Sequence, residues 1–110
     1  MVAFEPLQAI TYQPALAGEA VFAPPYDVID AAQLAALRDA SPYNVSRLIL
    51  GPTLDARGWH AAAAETLQRW LAEGVLRHEA RAAYYGYQQT FALPGGRCVT
   101  RNGVLGRLRL

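Results

Sequence analysis

Lysine is absent: all ten basic residues of this 110-residue chain are arginine. With the alanine excess, this reads as a GC-rich coding bias more than as a function, although arginine is the better fork where an anion must be held. Cys98 is the only cysteine, which excludes a disulfide framework and a cysteine metal site. The two histidines, His60 and His78, are too few for a convincing zinc centre, and no HExxH pattern joins them. No apolar run approaches a bilayer span, and no basic segment followed by an apolar stretch opens the chain. A net charge of +1 leaves no electrostatic footprint for strong nucleic-acid or membrane binding. Walker-type glycine loops, GxGxxG and GxSxG are missing as well. The expectation is a protein of a soluble, reducing compartment, most simply the bacterial cytoplasm.

What is present is enough apolar sequence for a core: 53% hydrophobic against 17% charged residues. Disorder is excluded by aromatics and branched aliphatics recurring throughout. Two segments echo one another, Ala23-Pro24-Pro25-Tyr26-Asp27-Val28-Ile29 and Ser41-Pro42-Tyr43-Asn44-Val45. Their prolines fix φ near −65° and lack an N–H, so neither segment is helix interior or central strand. Each reads as a rigid loop aiming an aromatic ring and a short polar side chain, and together they suggest the rim of a site.

Residues 4–12 read as an irregular edge strand or extended arm. Residues 20–23 read as a short strand stopped by Pro24-Pro25. Asp30 with Gln33 makes a capping-box pattern for a first helix, with Ile29 placed as a staple and Ser41-Pro42 as the stop. Residues 44–50 read as a strand ended by Gly51-Pro52. Asp55 is the candidate cap of a second helix whose stripe is Trp59, Ala63, Leu67, Trp70 and Leu71, ended by Gly74. Residues 82–93 alternate as a strand, Pro94-Gly95-Gly96 signals a hairpin, and residues 97–110 return, with a bulge expected near Asn102-Gly103. Apolar strand character persists to Leu110, so a chain ending inside a larger fold is expected.

For chemistry, Asp27 draws attention because it precedes a helix N-terminus, a natural anion site, where a carboxylate can hold Mg²⁺ or accept a hydroxyl proton. An Asx-turn is the plain alternative for Asp27, and helix capping for Asp30. Tyr26 and Tyr43 either stack on a ligand ring or pack beside their prolines. Asn44 either bonds a ligand or fixes its turn. Arg47 either clamps an anion or is a solvated face residue. Trp59 and Trp70 read as core residues, and Cys98 as a small packed side chain.

With these residues in view, the chain resembles the bacterial and archaeal domain of unknown function 1015 family. The resemblance is carried by the two Pro-Tyr blocks, by Arg47-Leu48, by Trp70-Leu71-Ala72-Glu73-Gly74-Val75-Leu76, and by the Tyr85 to Phe91 strand with Gln89. It covers nearly the whole chain. Ser46 stands where the family pattern has an aliphatic residue, and a Pro-His-Glu block expected beyond Leu110 is absent. The resemblance implies relation to ParB-like and sulfiredoxin-like folds, and to ATP-dependent kinases of free L-serine that use Mg²⁺. In that case Asp27 is the candidate catalytic and metal-directed residue. Tyr26, Asp27, Asn44 and Arg47 are the candidate cofactor-binding residues, and the absent Pro-His-Glu block is the expected source of the acid–base group.

The expectation is therefore an α+β fold over residues 1–110, approximately β-β-α-β-α-β-β, with a small mixed sheet and two helices, either a single domain or the truncated N-terminal portion of a longer family protein. The leading function is part of an ATP-dependent small-molecule kinase acting on free L-serine. The alternatives are a non-catalytic nucleotide- or nucleic-acid-binding ParB-like module and an inactive structural fragment. The expected partners are a small-molecule substrate and a second copy meeting an open edge strand. Nucleic acid and membrane are not expected as partners.

Overall fold

Apolar periodicity and turn chemistry sort the chain into short strands around three helices, an α+β arrangement. The computed structural model describes residues 2–110. The strands are β1 (Ala3–Glu5), β2 (Ile10–Tyr12), β3 (Leu76–His78), β4 (Tyr85–Ala92), β5 (Cys98–Leu105) and β6 (Arg107–Arg109). The helices are α1 (Ala31–Ala40), α2 (Ser46–Ile49) and α3 (His60–Ala72). The strands pair as three two-stranded ribbons, β1 with β6, β2 with β3 and β4 with β5. Two compact units result: the N-terminal residues through Ala9 with His78–Leu110, and Ile10–Arg77.

The first unit is all strand. The β4–β5 hairpin turns at Gly95 and Gly96, whose φ values of 95° and 87° need glycine. Its ladder runs unbroken from Ala92 opposite Cys98 to Tyr85 opposite Leu105. The bulge expected at Asn102-Gly103 is therefore absent: Asn102 sits opposite Gln88 and Gly103 opposite Tyr87 in regular register. Gly103 serves another purpose, because the Tyr87 ring lies over its Cα where any side chain would collide. Cross-strand polar pairs line the hairpin, with Gln88 Nε2 donating to Asn102 Oδ1 at 3.1 Å and Thr90 bonded to Thr100 at 3.1 Å. Glu5 on β1 accepts ion pairs from Arg107 and Arg109 on β6, at 2.8 and 2.9 Å.

The second unit holds the helices and a core of Trp70, Val75 and Leu76. Helix α1 begins as its sequence predicts. Asp30 accepts from the Gln33 N–H and Gln33 returns the bond to the Asp30 N–H, both at 2.8 Å. Ile29 and Leu34, the staple positions, are both buried. Helix α3 ends in a Schellman turn. Gly74 has φ of 78°, its N–H reaches the Leu71 carbonyl at 3.4 Å, and the Val75 N–H reaches Trp70 at 2.9 Å. That turn folds Val75 back onto Trp70, which is how helix termination and core formation coincide.

Besides the absent bulge, three further local expectations are overturned. Residues 44–50 form the helical turn α2, not a strand, because Asn44 Oδ1 accepts the Ser46 N–H at 2.9 Å and starts a turn. The β-branched and aliphatic run that suggested a strand is outweighed by this local bond. Residues 19–21 form a 3-10 turn, and no strand runs through Ala20–Ala23, since the Val21 carbonyl accepts a single bond from Val45 with no ladder beside it. Asp55 does not cap α3: it accepts from Thr53 Oγ1 at 2.8 Å, and the helix starts after Trp59 without a side-chain cap.

Candidate functional site

The two Pro-Tyr loops receive opposite fates. In the first, Tyr26–Val28 form a 3-10 turn directly before α1. Tyr26 is 66% exposed, and Asp27 is exposed with its carboxylate unbonded. In the second, Asn44 is completely buried. Its amide donates to the Ala20 and Phe22 carbonyls, both at 2.9 Å, and its oxygen accepts from Ser46. Both amide hydrogens are thus consumed within the chain, so Asn44 holds the fold and presents nothing to a ligand. Tyr43 packs edge-on to Trp70 at 5.8 Å between ring centres, and its carbonyl accepts the Tyr12 hydroxyl at 2.6 Å. Burial pushes the Tyr12 pKa up to about 12.

Arg47 follows from this latch. Asn44 sets the start of α2, and α2 carries the Arg47 guanidinium back to the C-terminal end of α1. There Nη2 donates to the Arg38 carbonyl at 3.3 Å. Arg38 is itself anchored, its Nη2 donating to the Gly51 carbonyl at 2.7 Å and more distantly to Leu50 at 3.4 Å. These carbonyls, a helix terminus and the loop after α2, are natural partners for cations.

Arg47 Nη1 and Arg38 Nε remain, buried and without a partner in the chain. Buried donors left unbonded are costly, and charged ones more so. Burial and the facing Arg47 charge both lower the Arg38 pKa from its ordinary value. Arg38, Arg47 and Arg69 line one cavity of about 330 Å³. Its remaining walls are apolar or weakly polar, with Leu50, Pro52, Trp59 and Thr66 among them, and no carboxylate lines it. The arrangement has the chemistry of an anion site: three guanidiniums, two of them anchored on backbone carbonyls, and no carboxylate in the lining.

Tyr26 and Asp27 do not line this cavity. They precede α1, whereas Arg38 lies near its end, seven residues and about 10 Å along the helix axis from Ala31. Asn44 ties the second loop to Ala20 and Phe22 just ahead of the first, but Tyr26 and Asp27 stay away from the cavity that Arg47 lines. Among the described residues no three His, Cys, Asp or Glu side chains converge as a metal site. His60 and His78 are exposed, and Cys98 is a free, exposed thiol. No helix among the described residues is long and apolar enough to cross a membrane.

Arg38, Arg69 and Trp59 escape sequence reasoning. Trp59 belongs to a helical stripe by spacing, yet it stands at the helix start, half-buried, with its ring against His60 at 4.1 Å. Arg69 sits on what reads as the solvated face of α3. The only available signal was the arginine-for-lysine bias itself, which coding composition explains equally well.

The family model described as "Protein of unknown function (DUF1015)" matches residues 4–110. The chain belongs to this family. No curated protein and no solved structure matches it.

Proposed function

We propose that this member of the DUF1015 family supplies the phosphate-recognising part of an ATP-dependent small-molecule kinase, with free L-serine as the substrate. The single observation that carries the reading is the convergence of three guanidinium side chains, Arg38, Arg47 and Arg69, on one cavity whose lining has no carboxylate. Phosphoryl transfer leaves a protein mainly positioning and electrostatic work, and arginine forks do both. The kinase assignment itself comes from the family resemblance. Asp27, exposed on its proline-framed turn, is the candidate for substrate or metal contact away from the cavity.

Mg²⁺, which such a kinase requires, does not fit the cavity, because a hard cation needs oxygen ligands and the lining offers no carboxylate. One exposed aspartate, Asp27, does not by itself make a cation site. The test is an assay for O-phosphoserine from ATP and L-serine, using a longer family protein with Arg47→Met introduced at the matching position. A loss of at least about 100-fold in kcat/KM is expected, as for other single electrostatic donors. Turnover unchanged by the substitution would remove the cavity from the reaction, and no phosphoserine from the parent protein would remove the kinase reading.

A further inference from the structure

We propose that the Arg38–Arg47–Arg69 cavity is the seat of a nucleoside polyphosphate, with the ring against the Trp59 wall, and that it rejects the amino-acid substrate. This deepens the phosphate reading above and rests on it.

Charge decides between the two ligands. A free amino acid brings an ammonium group as well as a carboxylate. Three guanidiniums repel that ammonium, and no carboxylate of the lining receives it. A nucleotide's phosphate chain carries negative charge only, and its several oxygens suit the three guanidinium side chains, Arg38, Arg47 and Arg69, that line the cavity.

Size and wall chemistry agree. At about 330 Å³ the cavity exceeds the need of one phosphate and reaches the range of organic-ligand sites. Alongside the arginines the lining holds Leu50, Pro52, Trp59 and Ala62, side chains suited to a planar, weakly polar body. Trp59 is held in place from two directions. His60 stacks on it at 4.1 Å, and the Gly51 backbone approaches so closely that a Cβ there would meet the indole Cδ1 at 2.9 Å. A pre-positioned aromatic wall beside cationic forks is how sequence-tolerant base recognition is generally built.

The experiment is calorimetric titration of the 110-residue chain with metal-free ADP, inorganic pyrophosphate, L-serine and O-phospho-L-serine. ADP is expected to bind about tenfold tighter than pyrophosphate, the increment of one base–aromatic contact. Trp59→Leu should erase that advantage while leaving pyrophosphate affinity in place. The Arg69 side chain is exposed and makes no hydrogen bond or ion pair among the described residues, so Arg69→Gln should fold normally and weaken ADP and pyrophosphate alike. L-serine should give no binding heat. Pyrophosphate or O-phosphoserine binding as tightly as ADP would overturn the nucleotide assignment and leave phosphate recognition standing. Failure of every anion to bind would overturn both.

Discussion

The Asn44 side-chain oxygen accepts the backbone N–H of Ser46 at 2.9 Å, and that one bond begins the helical turn that aims Arg47 at the cavity. Because the Asn44 amide also ties down the Ala20 and Phe22 carbonyls, one buried side chain joins two loops and a helix start. Asn44→Ala leaves the partners of all three bonds without it. The expected destabilisation is about 3 kcal/mol, read as a fall in the urea midpoint. Asn44→Asp should be at least as damaging, since a carboxylate then faces two carbonyl oxygens. An alanine variant as stable as the parent would refute the latch.

Ser46 is fully buried, and its hydroxyl has no hydrogen-bond partner. Ser46→Ala removes an unsatisfied polar atom and little volume. It should stabilise the chain by about 1 kcal/mol, seen as a raised denaturation midpoint with unchanged m-value.

The Tyr12 hydroxyl donates to the Tyr43 carbonyl at 2.6 Å and has its pKa pushed up to about 12 by burial. The folded state keeps this proton after the unfolded chain, titrating near 10, has lost it. The stabilisation is therefore whole below pH 10 and fades as pH rises from 10 towards 12. Tyrosinate absorbance should show Tyr12 as a late-titrating phenol among the six tyrosines, and Tyr12→Phe should remove that late phase.

Gly74 holds φ of 78° with open space around its Cα. Gly74→Ala therefore meets no clash and costs only the left-handed conformation, about 1 kcal/mol. A Tm fall of several degrees is expected for a chain of this size. A larger loss, accompanied by exposure of Trp70 fluorescence, would mean that the turn also controls core closure.

The Asp30–Gln33 box, the Gly74 stop and the Gly95-Gly96 hairpin each rest on residues a few positions apart, so the chain's own chemistry decides them. Trp70 in the core follows from helical spacing and its size. The turn at residues 46–49 was misread because branched aliphatics favour strands on average, whereas one Asn side chain bonding two residues ahead decided the matter here.

By itself, then, the sequence determined the class of fold, the start of α1, the stop of α3, the main hairpin and the family. Tertiary structure alone decided which polar residues meet. Arg38, Arg47, Trp59 and Arg69 come from three helices or their margins, and only packing brings their side chains around one cavity. The same packing turned Asn44 inward and left Asp27 outside. Burial and charge proximity are properties of distance in space, and spacing along a chain does not encode them beyond a helical turn.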